Sequence, residues 1–465
     1  MSEGNKSNSM SRRRFLSIVG SASAAAVLAA CAPAATPPAG SGTPSTGAQT
    51  APTAAPQVSF SGTELSFLTW NNFVPEMDTE LDKICKAWGE KNKVTMKVEH
   101  INSNDIAPRR AAAVQAKSGP DLIWDTSNWA VLFKDSLVDI TDVVDDIGKQ
   151  LGGWYPFTAE YAKPDGKWRA IPHAYGGGAF VYRTDWFKQN NVNVPKTWDD
   201  FMKAAATMKK AGKPFGQALG HSFGDPPGFW YPWLWSHGGQ EVQKDGKTVA
   251  LDSPETLLSV EKAVELFKTG LDETGIAWDD SNNNRAYLDE QISCTLNGSS
   301  IYFVAGRDAA KGDAKAKRIF ENSDHFPMLS GPKGAFIVAG GYFTGIMSYS
   351  KNVAAAKDLL RYLMQPTQMF AWLDSGKGYL QGLAKKFEEV EIFKKDAKMK
   401  PYLDNLLGGE GKGRWYGWPG PNSAEAYRVY NNYFIVDMYA KACSGELKPK
   451  DAVTWATNQL KTVYK

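Results

Sequence analysis

The sequence predicts an α/β fold divided into two domains. Two observations carry that prediction: strand and helix periodicities take turns along the chain, and residues 58–465 are too many for one core. Glu64 to Trp70 alternates as a strand does. After Pro75, the apolar positions Met77, Leu81, Ile84 and Trp88 follow 4-3-4 spacing, the mark of an amphipathic helix. Val94, Met96 and Val98 alternate again as a second strand. Ile106 to Lys117 reads as a helix closed by Ser118-Gly119-Pro120, and Asp121 to Trp124 as a short buried strand. This alternation predicts a largely parallel sheet.

In open α/β sheets a ligand binds beyond the carboxyl ends of the strands. Trp70, Asn71 and Asn72 end the first predicted strand, and Asp125 to Trp129 follow the third. The two loops are expected to face one crevice, with Trp70, Asn71, Asn128 and Trp129 as candidate contacts. A third candidate segment is Gly340-Gly341-Tyr342, which follows a predicted strand from Phe336 to Ala339. Paired glycines let backbone N–H groups approach a ligand, although a bulge or tight turn explains them equally well.

The first thirty residues read as export machinery. Ser11-Arg12-Arg13-Arg14-Phe15-Leu16 carries the paired arginines of a twin-arginine leader, followed by a mildly apolar run from Ile18 to Ala30 that is too short to span a membrane. Leu28-Ala29-Ala30-Cys31 resembles a bacterial lipobox, which makes Cys31 the expected lipid-bearing first residue of the mature chain. Residues 31–57 hold no charge and no aromatic ring, and read as a flexible tether. The expected location is therefore extracytoplasmic, on the outer leaflet of the cell membrane.

Removing residues 1–30 takes away Lys6, Arg12, Arg13, Arg14 and Glu3, so the formal charge falls from +3 to zero. A neutral body argues against a nucleic-acid surface and leaves the lipid anchor as the one expected membrane contact. Cys85, Cys294 and Cys443 can form at most one disulfide. A protein exported already folded from a reducing cytoplasm suits free, buried thiols. Five dispersed histidines form no ligand motif, so neither a metal nor a cofactor is expected. Sixteen tryptophans all lie between Trp70 and Trp455, more than packing usually requires, and some are expected at a surface where a flat ring is wanted.

An ordered set of segments is more specific. Ser118-Gly119-Pro120-Asp121-Leu122-Ile123 and Leu137-Val138-Asp139-Ile140-Thr141-Asp142 come first. Gly166-Lys167-Trp168-Arg169-Ala170-Ile171-Pro172 follows, then Val181-Tyr182-Arg183-Thr184-Asp185-Trp186-Phe187 and Pro195-Lys196-Thr197-Trp198-Asp199-Asp200-Phe201. Leu251 to Thr256 and Thr295 to Ser299 continue the series. In this order the chain resembles the family 1 extracellular solute-binding proteins, the maltose-binding-protein-like sugar receptors of ABC importers, over most of residues 62–465.

The resemblance implies a two-lobed, periplasmic-binding-protein-like fold with hinge strands and a central ligand cleft. Lobe 1 would comprise residues 58–172 and 327–375, and lobe 2 residues 173–326 and 376–465. The chain would cross between lobes near Ile171–Tyr175, Phe326–Met328 and residues 370–384, and the lobes would close by hinge bending. The implied function is capture of a carbohydrate, an oligosaccharide above all, for an ABC permease, by a monomer that is not an enzyme. The resemblance also places the ring-rich segment Phe229 to Trp235 at the cleft, with Trp230 and Tyr231 favoured, and Trp233 and Trp235 in the core. It puts Trp415 or Trp418, in the loop Arg414 to Gly420, among late contacts, and Asn297 at a strand end. The family often sets a tryptophan shortly after that position, whereas Ser299-Ser300-Ile301 follow here. The alternatives are a receptor of the same fold for a polyol, phosphodiester or peptide, or an exported glycosidase, which needs two carboxylates roughly 5–10 Å apart across a cleft.

Overall fold

The computed structural model describes residues 59–126, 128–407 and 412–465. The leader, Cys31 and the tether lie outside the described residues.

The first strand, β1 (Glu64–Trp70), is followed by helix α1 (Pro75–Asn92), strand β2 (Thr95–Ile101), helix α2 (Ser103–Ala116) and strand β3 (Leu122–Thr126). Strand and helix take turns as the sequence predicts. Helix α1 starts on Pro75, whose missing N–H costs nothing in a first turn, and buries Met77, Leu81, Ile84 and Trp88. Strands β4 (Ile171–Tyr175) and β5 (Ala179–Arg183) come next, then β6 (Cys294–Asn297), β7 (Ser323–Phe326), β8 (Tyr342–Ile346) and β9 (Gln381–Gly382).

These strands sort into two sheets, the cores of two lobes. The larger has the order β9-β4-β8-β3-β1-β2, and the smaller the order β6-β5-β7. Strand β1 pairs in parallel with β2 and β3, as expected. Strand β8 runs antiparallel to both β3 and β4, and β9 antiparallel to β4, so the sheet is mixed. The reason is topological: β8 re-enters from the other lobe, outside the βαβ crossovers that force parallel pairing, and the chain then passes through two helices to β9, which runs the same way as β8 and so antiparallel to β4. In the smaller sheet β5 is antiparallel to both neighbours.

The chain leaves the larger sheet after Tyr175 and enters the smaller one at Ala179, with Gly176-Gly177-Gly178 between them. It leaves the smaller sheet after Phe326 and rejoins the larger at Tyr342. The edge strand β9 extends this second visit beyond residue 375, where the family pattern ended it.

Helices dominate the second lobe. Thr197 and Asp200 form a reciprocal capping box that starts the Trp198–Lys210 helix. Helix α3 (Asp225–His237) packs against the helices Pro254–Thr269 and Phe434–Cys443. Cys85, Cys294 and Cys443 are all buried and free. Among the described residues no helix is long and apolar enough to cross a membrane, and no cluster of His, Cys, Asp and Glu could hold a metal.

Candidate functional site

A cavity of about 120 Å³ opens where Trp70 ends β1, Tyr175 ends β4 and Asn297 ends β6. Strand β8 runs the other way, so its first residue, Tyr342, reaches the same place. The strand-end rule therefore locates the cavity.

Aromatic rings form about a third of its wall. Trp70 stacks on Tyr342 at 5.3 Å between centroids, and meets Phe73 at 5.7 Å and Phe223 at 5.3 Å edge-on. Tyr379 adds a further ring, in edge contact with Phe73. Phe223 belongs to the second lobe and Trp70 to the first, so their contact spans the cleft. An adjoining space of about 90 Å³ shares Tyr175, Phe223 and Tyr342, and continues past Gly340, Gly341 and Tyr416. Gly341 has a φ of +146°, and a Cβ there would fall 2.6 Å from the Ala174 carbonyl oxygen. Only glycine lets β8 begin so close to β4.

The structure brings together Trp70, Asn297, Gly340, Gly341 and Tyr342 of the residues read from sequence. It moves seven others away from the cavity. Trp230 and Tyr231 are core residues, fully covered because α3 is apolar all round and helices pack on both sides of it. Trp230 donates from Nε1 to the Ala218 carbonyl at 3.0 Å and stacks on Tyr439, while Tyr231 meets Tyr416 and Trp235 edge-on. Trp233 and Trp235 are buried as expected. Asn71 is exposed, its N–H held by the Ile101 carbonyl. Asn128 is buried and donates to Asn422 and to the Ser423 carbonyl, fastening the start of the Ala424–Asn431 helix. Trp129 is buried beside the Phe343 carbonyl. Trp415 folds its indole N–H back onto Gly420, and Trp418 lies beside Phe336 and the Arg414 guanidinium. The loop that carries them contributes Tyr416 to the cleft in their place.

Sequence reasoning missed Phe223, Asp225, Asp280, Tyr175 and Tyr379. A signal existed for Asp225. Gly224-Asp225-Pro226-Pro227 is a helix start, and the aromatic segment presents that first turn to the cleft while its rings face inward.

A family model described as bacterial extracellular solute-binding protein matches residues 83–401. The chain belongs to that family. This solute-binding protein is 22% identical over 297 residues to a probable ABC transporter-binding protein of Deinococcus radiodurans, a match covering 61% of this chain and 68% of the relative. It is also similar in fold to an ABC transporter solute-binding protein of Thermotoga lettingae bound with α-D-tagatose. That TM-score is 0.73 at 18% identity, over 87% of this chain and 100% of the other. A sugar transporter protein of Arthrobacter chlorophenolicus with bound laminaribiose gives a TM-score of 0.74 at 16% identity, over 86% and 100%.

In this solute-binding protein the charge of the cleft comes from two acids on one wall. Asp280 accepts from Ser222 Oγ at 2.6 Å and from the N–H groups of Gly224 at 3.1 Å and Asp225 at 2.8 Å. It thereby fixes the loop that leads into α3. Asp225 accepts from Asn283 Nδ2 at 2.5 Å through Oδ2. Burial raises the pKa of both, and the charge of Asp280 pushes Asp225 up further. No Lys, Arg or His lines the cavity or its adjoining space among the described residues.

Proposed function

We propose that this protein captures a carbohydrate in the cleft outside the cell and delivers it to the permease of an ABC importer. The observation that carries this reading is the wall itself: rings at Trp70, Phe73, Phe223, Tyr342 and Tyr379 beside Asn297 and Asp225. A sugar offers C–H faces to rings and hydroxyl groups to amides and carboxylates. The sugars named with the structural relatives, tagatose and laminaribiose, support the same class. Asp225 and Asp280 stand side by side, with the Asp225 N–H bonded to Asp280. That geometry suits binding better than glycoside hydrolysis, which needs carboxylates on opposite sides of the bond.

The triple glycine between β4 and β5 gives the lobes a hinge, and closure would present a ligand-dependent surface to the permease. The protein acts as a monomer held to the membrane by lipid on Cys31. Replacing Cys31 with Ser should release it from membranes into the soluble fraction, as a fractionation blot would show; retention on the membrane contradicts the anchor.

A thermal-shift screen against mono- and oligosaccharides, polyols, peptides and organophosphates tests the carbohydrate reading. A ligand at 100 times its Kd adds roughly 2.7 kcal/mol to folded-state stability and raises Tm. A shift with one sugar class, the sugar remaining intact on incubation, is the expected result. A shift with non-sugars alone would replace the substrate, and consumption of the sugar would make the protein an enzyme.

A further inference from the structure

We infer that the captured carbohydrate is cationic: a sugar or polyol bearing a protonated amine, whose ammonium group seats against Asp225 and Asp280. This rests on the carbohydrate reading and narrows it.

The first support is an uncompensated charge. Every described partner of the two carboxylates is neutral: the Ser222 hydroxyl, the Asn283 amide and the backbone N–H groups of Gly224 and Asp225. Elsewhere in the protein the buried Asp125 meets a guanidinium, that of Arg110. Here no cationic side chain stands in the wall. Asp225 Oδ1 has no hydrogen-bond partner among the described residues, although Oδ2 has one. The raised pKa of both acids is what two buried carboxylates lacking a counter-charge produce.

The second support is independent of the acids. Tyr342 and Tyr379 are 9% and 6% exposed, line the cavity, and leave their hydroxyls without a partner among the described residues. Both rings line the same cavity as Asp225 and Asp280. With Trp70 and Phe73 they line that space with aromatic rings, and a desolvated cation is attracted to such rings. A neutral sugar would satisfy the hydroxyls and rings but leave the acid pair uncompensated. An ammonium bonded to a polyol satisfies all three.

Isothermal titration of the full chain with matched pairs separates the possibilities. The pairs are glucosamine against N-acetylglucosamine and glucamine against sorbitol, at neutral pH, where most of each amine is protonated and the acids keep more of their charge than in acid, with choline as a cation lacking a sugar. The amine of at least one pair is expected to bind about tenfold tighter than its neutral partner or better. In Asp225→Asn that preference should fall to about twofold or less. The wild-type comparison stands by itself if the variant fails to fold. A neutral member binding as tightly as its amine overturns the inference and leaves the carbohydrate reading in place. Choline binding with no sugar overturns the carbohydrate reading, and binding by none of the five overturns the inference alone, the carbohydrate reading then resting on the wider thermal-shift screen.

Discussion

Replacing Arg110 with alanine is expected to destabilise the protein by about 3–5 kcal/mol. Arg110 on α2 is 2% exposed and pairs with Asp125, itself 8% exposed at the end of β3. Its Nη2 donates to the Tyr427 hydroxyl at 2.7 Å, and its guanidinium lies 4.7 Å from the Phe133 ring centre and 5.6 Å from that of Trp129. The alanine variant strands a buried carboxylate and empties the slot between those rings. Urea unfolding measures the loss. A second variant, Arg110→Met with Asp125→Asn, removes both charges while keeping most of the volume. It should recover most of the stability, because the larger part of the penalty is the unpaired charge. Equal losses in the two variants would mean that the hydrogen bond to Tyr427 matters more than the charge.

Glu241 yields the second large effect, and it is a pH effect. The residue is fully buried, accepts from the Gly417 N–H, and lies 3.5 Å from the Tyr231 hydroxyl. Burial pushes its pKa up from 4.5 to about 8. A raised folded-state pKa means that the folded protein holds its proton more tightly than the unfolded chain. The contribution is full below about 4.5 and is lost as pH rises through about 8. At about 1.4 kcal/mol per pKa unit the total loss is on the order of several kcal/mol. Glu241→Gln keeps an acceptor for Gly417 and has no proton to lose. The difference between the wild-type and variant stability curves should therefore widen from pH 5 to pH 8 in favour of the variant, and then level off. Parallel curves across that range would show that Glu241 does not titrate there.

How legible the fold was depended on the range of the interactions. The first lobe's opening strands and helices are local patterns: 4-3-4 spacing buries one face of α1, and a short, mainly apolar run marks β1, whose last four residues are all buried. The mixed pairing was hidden, because β8 and β9 join the sheet some two hundred residues after β3, and no local pattern records a strand's direction. Trp70 and Asn297 were readable from their places at strand ends. Tyr342 was readable through the glycine pair before it. The rings of Phe229 to Trp235 misled because an aromatic-rich segment has the same composition in a core as in a cleft. What distinguishes the two is the covering by helices from the far end of the chain. Asp225, Asp280 and Tyr379 are ordinary residues in isolation, and folding alone makes them neighbours.

The account's central claim is that ligand sits among the rings at the strand ends and away from those of α3. Isothermal titration of Trp70→Ala and Trp230→Phe with the tightest-binding sugar of the screen tests it most directly. Affinity should fall about tenfold or more for Trp70→Ala and stay within about threefold for Trp230→Phe, whose lost hydrogen bond to Ala218 costs stability alone. Retained affinity in Trp70→Ala, with loss in a still cooperatively folded Trp230→Phe, would contradict the site.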